Sequence, residues 1–318
     1  MTTSTATGHL ASFASYAIFG LNIVMCKDIA NSDILSPYGL FLLRALGATL
    51  LFWVSSLFIR EEKIPWKDML HILCASFVGL LLPQLTFLVG IREASSIDSS
   101  LISTLSPIFT MFFAAYFIKE PVTWKKAAGV VISFAGVTFL ILNSLYHKGS
   151  ASTQTTPTGM ILLFANCLTF ALYLGAFKPL IARYHVITFM KWMFLFTLVM
   201  SLPFCLSDTV SFTTYVLSRP AITPQLAAII WEIAYVVVFA TFLAYLLIPI
   251  GQKRIRPTLV SMYSYIQPVI AVVISVIIGM DHLTWIKDLA IIMIFLGVAI
   301  VNQSRTIPHA TPYRDLQQ

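Results

Sequence analysis

An all-α integral membrane protein of ten transmembrane helices, built as two inverted five-helix repeats, is the fold class that the sequence predicts. Three observations carry it. The 318 residues are 58% hydrophobic and only 10% charged, with a mean hydropathy of +0.87, far more apolar than a soluble domain of this size. Ten continuous apolar runs are each long enough for a hydrocarbon core of ~30 Å, which takes roughly 17–25 helical residues. The chain also matches itself at an offset of 161 residues, with ten identities across positions 90–137. Among them are the scarcer types: Gly90 on Gly251, Pro107 on Pro268, Thr123-Trp124 on Thr284-Trp285, and Gly136-Val137 on Gly297-Val298.

In chain order the predicted spans are 9–27, 34–59, 68–91, 97–118 and 125–143, then 158–180, 187–206, 226–250, 257–280 and 286–303. The runs are continuous rather than alternating, which excludes β-strands as the spanning element. The first has no Lys or Arg ahead of it and no cleavage site of the usual kind, so it reads as an uncleaved span. Gly90 and Gly251 close the third and eighth runs just before a charge and read as helix stops. Pro107 and Pro268 lie inside the fourth and ninth runs, where the missing N–H and the ring clash kink a helix. Residues 144–157 form a polar linker between the halves, and 207–225, with Pro220 and Pro224, reads as an outer connection. Residues 304–318 form a polar tail.

Orientation follows from Lys and Arg. With the N-terminus inside, inner loops and tail hold twelve of them and outer loops five, which puts both termini in the cytoplasm. The net charge of +7 is then positive-inside bias and requires no nucleic acid. Five spans per half is an odd number, so the second half enters from the opposite face and the halves form an inverted pair. No phosphate-binding GxxxxGK[ST] loop is present, so active transport draws on an ion gradient or on that of the substrate. Cys26, Cys74, Cys167 and Cys205 lie in spans without ligand spacing, and no cofactor or metal is expected.

Residues 103–142, STLSPIFTMFFAAYFIKEPVTWKKAAGVVISFAGVTFLIL, resemble the closing motif of a repeat in the EamA family of the drug/metabolite transporter superfamily. The motif elements are Pro107, Glu120, Gly129 and Gly136-Val137, repeated as Pro268, Asp281 and Gly297-Val298. Arg44 and Phe19-Gly20-Leu21-Asn22 are also similar to family positions. Phe19 stands where Trp is common, Asp281 replaces the usual Glu, and Ala290 stands where the first half has Gly129. The resemblance covers 9–303, as two EamA-like repeats over 9–143 and 158–303. It implies a carrier in a bacterial inner membrane that moves a small metabolite, amino-acid-like or another small organic solute, by alternating access, often outward. A monomer suffices for such a carrier, and a homodimer stays open.

Individual residues supply the chemistry. Arg44 lies ten residues past Ile34, ~15 Å along a helix and so near the midplane. A cation there costs roughly 2.5–3.5 kcal/mol on insertion scales, so it faces protein or water. It is either a bidentate anchor for a carboxylate or phosphate or a structural bridge between spans. Glu232 is the one acid inside a span, a candidate for coupling to a proton or Na+, with an interfacial acid as the other reading. Asn22, Gln84, Tyr245 and Tyr263 lie too deep for an interfacial belt, and each needs a hydrogen-bond partner. Gln84 and Tyr245 correspond under the repeat offset and together suggest a two-sided substrate site. Ser103 and Gln267, beside the two prolines, either pair freed carbonyls or line a cavity. Lys178 and Lys191 are expected to snorkel. Glu120 and Asp281 read as helix caps, with a gate latch as the alternative. A non-transporting receptor or intramembrane enzyme is the competing class, but no HExxH, GxSxG or Ser/His pairing supports catalysis.

Overall fold

The structure, a computed structural model, describes residues 3–119, 155–219, 223–279 and 285–302, with some positions of 123–139. Its first half contains α1 (Thr3–Asn31), α2 (Pro37–Ser56), α3 (Trp66–Ser76), α4 (Leu82–Arg92), α5 (Ser96–Ser103) and α6 (Ser106–Ile118). The second contains α7 (Pro157–Ala176), α8 (Lys178–Arg183), α9 (Val186–Leu217), α10 (Pro224–Tyr235), α11 (Ala244–Arg254), α12 (Pro257–Met262), α13 (Ile266–Ile278) and α14 (Trp285–Asn302). No strand occurs among the described residues. Seven stretches there are long and apolar enough to cross a membrane. The run at 125–143 falls largely outside the described residues, as do Glu120, Asp281, most of the linker and the tail.

Helix starts follow the sequence. Ser36, Thr156 and Thr223 each accept the N–H three residues on, with proline in the first helical turn, which satisfies one of the orphan donors of a helix start. Two long helices contain a π-helical segment, Phe77–Leu81 between α3 and α4 and Val236–Leu243 between α10 and α11. The two correspond under the repeat offset. Pro83 follows the first and supplies no N–H, so the ladder loses a bond there; Leu82 N–H reaches back to Phe77 O. In the second, the Thr241 hydroxyl donates to Val236 O at 2.7 Å.

Helix breaks also correspond. α5 gives way to α6 at Thr104-Leu105, just before Pro107, and α12 passes through a 3-10 turn at Tyr263–Tyr265 into α13, just before Pro268. The expected kinks thus take the form of interruptions, and both turn polar residues inward.

The halves interlock. α4 packs along α7, and α11 packs along α1. A Cβ on Gly90 would sit 3.0 Å from Leu163 Cγ and 3.1 Å from Gly159 O, while one on Gly251 would run into Ser12 Oγ beside Gly8. Gly90 and Gly251 are therefore not helix stops, because α4 continues to Arg92 and α11 to Arg254. They are points of close helix approach, the use of small residues in membranes, where lipid supplies no hydrophobic drive to bring helices together. α2 lies along α9, with Phe52 stacked on Phe194 at 5.2 Å.

The outer connection expected at 207–225 is helical as far as Leu217. Thr209, Ser211 and Thr213 each donate a hydroxyl to the carbonyl four residues back, so their polarity is absorbed by the helix itself. α9 ends only before Pro220. Its 32 residues span about 48 Å, more than the hydrocarbon core. The two lysines do not snorkel freely. Lys191 is buried with its amine 5.1 Å from the Trp53 ring centroid, and Lys178 donates to Ile255 O at 2.9 Å. Trp66 and Trp285 are 74% and 71% exposed, as belt residues facing lipid headgroups are.

Candidate functional site

A cavity lies between the halves, about 600 Å³ counting its open mouth. α1 contributes Tyr16, Phe19, Asn22 and Ile23; α2 contributes Arg44; and α4 contributes Gln84 and Phe87. α7 supplies Asn166, Cys167 and Phe170, and α11 supplies Tyr245. The two helix breaks complete the wall with Ser103 and Ser106 on one side and Ser264 and Gln267 on the other.

Arg44 is 2% exposed. Its Nε donates to the Thr241 hydroxyl at 2.9 Å, and that hydroxyl is aimed by its own bond to Val236 O inside the π-helical segment. Nη1 is buried without a partner, and Arg44 makes no ion pair among the described residues. Gln84 faces the Tyr245 phenol across the cavity wall, with its Nε2 buried and unbonded. Asn22 Oδ1 accepts from Cys26 Sγ at 3.4 Å. Asn166 Nδ2 donates to Pro83 O at 2.7 Å, joining α7 to the residue that follows the first π-helical segment. Ser103 Oγ donates to Ser99 O at 2.9 Å, so it caps its own helix while lining the cavity.

Aromatic rings floor the space. Phe19 meets Tyr245 edge-on with centroids 5.5 Å apart, and Phe170 meets the same ring at 6.3 Å. Phe19 and Phe170 stand at the same spacing from Gly8 and Gly159, the glycines that seat α1 and α7.

The structure thus brings Arg44, Gln84, Asn22, Tyr245, Ser103 and Gln267 to one cavity. It leaves two candidates outside. Tyr263, in the 3-10 turn, bonds His9 Nδ1 at 2.8 Å: the turn swings its side chain toward α1 while Ser264 and Gln267 face in. Glu232 lies on α10 with its carboxyl toward Asp28 of α1 rather than toward Arg44. The sequence assigns no site role to Thr241, Phe170 or Asn166, and marks Phe19 only as a family-like position. Asn166 carried a legible signal, an amide within an apolar run. No group of three or more His, Cys, Asp or Glu able to hold a metal occurs among the described residues.

The EamA-like transporter family matches residues 6–142 and 157–303, one copy on each half. The chain belongs to the EamA-like transporter family. An uncharacterized transporter of Archaeoglobus fulgidus is 28% identical over 154 residues, which is 48% of this chain and 52% of the relative, so the match with that relative spans about half its length. The uncharacterized transporter YetK of Bacillus subtilis is 24% identical over 318 residues, 96% of this chain and 89% of the relative. A solved crystal structure superposes with a TM-score of 0.61 at 17% identity, over 94% of this chain and 96% of that one, and shares its fold. This EamA-like protein is an integral membrane transporter and not an enzyme. Its working partners are a small-molecule substrate and the lipid bilayer.

Proposed function

We propose that the chain is a ten-span secondary transporter that carries a small organic solute, amino-acid-like or otherwise, outward through the cavity between two inverted repeats at 9–143 and 158–303. The remaining segments, 144–157 and 304–318, serve as linker and cytoplasmic tail. One observation carries the reading: Arg44, Gln84 and Tyr245, polar groups in apolar runs, converge with both helix breaks on one cavity at the join of the halves. The reciprocal packing of α4 on α7 and α11 on α1 supports two equivalent units that rock about this site, the arrangement by which inverted repeats alternate access. Arg44 acts as anchor, and Gln84, Asn22, Tyr245, Ser103 and Gln267 act as orienting groups. The breaks at Pro107 and Pro268 serve as the bending points. Tyr263 is a hinge contact with His9 rather than a ligand.

The protein works in a bacterial inner membrane with both termini cytoplasmic. A single chain encloses the whole cavity, so a monomer is the minimal unit, and a homodimer is compatible with it. Glu232, beside Asp28 at a helix contact, is the candidate site for a coupling proton or Na+.

The test is metabolite profiling of medium and cytoplasm from cells producing the wild type or a Gln84→Ala/Tyr245→Phe variant. A solute enriched outside by the wild type and reduced at least ~10-fold by the variant is expected, since two orienting contacts of about 1 kcal/mol or more each are lost. Equal export by both would sink the site. Glu232→Gln is expected to keep solute exchange in liposomes but to remove its acceleration by an imposed proton or Na+ gradient. Unchanged acceleration by both gradients would remove Glu232 from coupling.

A further inference from the structure

The cavity holds a cation with no counter-charge among the described residues. Arg44 is buried, its Nε is taken by Thr241, and Nη1 is unbonded. None of the residues around the cavity is Asp or Glu. A buried ion left without a counter-charge is costly even after the protein relaxes. Glu232 is not the missing partner. It lies nine residues before Thr241 on the same helical run, roughly 13 Å along the axis, outside the cavity and turned to Asp28.

The other buried polar groups left unpartnered there are able to donate. Gln84 Nε2 and the hydroxyls of Tyr16, Ser106 and Ser264 all lie on the cavity wall without a bond. A guanidinium edge with donors around it is the recognition set for a carboxylate. The opposite requirement, a carboxylate to hold an ammonium group, is met by no lining residue.

We propose that the site selects organic monoanions: solutes with one carboxylate and an apolar or aromatic body, and no ammonium group. The inference rests on the transport reading above and narrows its substrate to one chemical class. Charge decides between the classes. With a monoanion bound, the occupied cavity is neutral. With an amino-acid zwitterion it keeps the net charge of Arg44, and with an amine it holds two cations. As the halves rock about it, the closed cavity stands within the hydrocarbon layer, where net charge is most heavily penalised. The rings of Phe19, Phe170 and Tyr245 supply the face for the body of the solute.

The experiment titrates full-length protein in detergent with three probes that share one benzyl body: phenylpropionate (carboxylate alone), phenylalanine (carboxylate and ammonium) and phenethylamine (ammonium alone). Calorimetry is expected to rank phenylpropionate about 10-fold or more above phenylalanine, with no heat from phenethylamine. Arg44→Gln is expected to lose phenylpropionate binding by about 30-fold or more, the loss usual for one member of a buried charge pair. Thr241→Val, which frees the guanidinium without removing it, is expected to weaken binding by only about 3- to 10-fold, one lost hydrogen bond; it serves as the control if Arg44→Gln does not fold. Phenylalanine binding as tightly as phenylpropionate, any binding of phenethylamine, or silence with all three probes overturns the proposal, as does unchanged binding by Arg44→Gln. Flux in proteoliposomes separates the two readings. Transport of phenylalanine without phenylpropionate would overturn the anion site and keep the carrier. Arg44-dependent binding without flux of the anion would keep the site and overturn the carrier.

Discussion

Replacing Arg44 by leucine is expected to raise the melting temperature of the purified, ligand-free protein while abolishing transport. The side chain is 2% exposed and, among the described residues, is held by a hydrogen bond to Thr241 without an ion pair. Desolvation of a charge is repaid only when geometry and counter-charge are both supplied, and in the empty cavity the counter-charge is lacking. Well-packed apolar replacements even of buried ion pairs are often neutral or stabilising by about 1–4 kcal/mol, and an ion without its counter-charge has less to lose, which makes a rise of several degrees the expected result in detergent. Transport should fall by about two orders of magnitude or more, because removing the partner of a desolvated charge costs roughly 2–5 kcal/mol of binding. The combination is diagnostic. A bridge that locks α2 to the run carrying Thr241 would lose stability on the same change, whereas a ligand anchor gains stability and loses function. A fall in melting temperature of the Leu variant would assign Arg44 to structure. Thermal unfolding followed by intrinsic fluorescence, beside flux in proteoliposomes, gives both readouts on one preparation.

Much of this site is legible in the sequence because hydrocarbon is an intolerant solvent. Arg44, Gln84 and Asn22 stand out in apolar runs, since each polar group there must find a partner. Ser103 and Gln267 stand out because proline at matched positions marks where a helix opens. What was not legible depends on the third dimension. Thr241 is ordinary in a membrane helix, where its hydroxyl bonds its own backbone; only the π-helical segment turns it to Arg44. Phe170 is indistinguishable from a lipid-facing phenylalanine, and Phe19 stands out only as a family-like position, until the spacing from Gly8 and Gly159 is set beside the cavity. Gly90 and Gly251 have the sequence pattern of helix stops, a glycine before a charge, while the residues they pack against lie in the other half of the chain. The depth of Tyr263 in an apolar run suggests a cavity position, but a 3-10 turn changes the direction of each side chain, and this one points to His9. The length of α9 is not legible in the sequence because apolarity fades at Ser207 while helical bonding does not.

Gly20→Leu is expected to be the most damaging small-to-large change beside the cavity, acting on stability and transport together. Gly20 follows Phe19 on α1 where α1 crosses α13. A Cβ at this position would sit 2.9 Å from Ile270 Cβ and 3.2 Å from both Cα and O of Gln267. Two of these three atoms are backbone, so relief cannot come from a rotamer change; α13 itself must move. Forcing methylenes into such a contact costs typically about 1–3 kcal/mol in well-packed interiors. Here the displaced element also carries Gln267 and follows Ser264, so the same shift opens the cavity wall. Alanine adds only the Cβ and calls for a displacement of a few tenths of an ångström, with a smaller penalty. The expected order in melting temperature and in flux is therefore glycine, alanine, leucine. That pattern is opposite to the one expected at Arg44, where stability and transport part company. If Gly20→Leu matched the wild type in both measurements, the close crossing of α1 and α13 would be refuted, and with it the placement of Gln267 on the cavity wall.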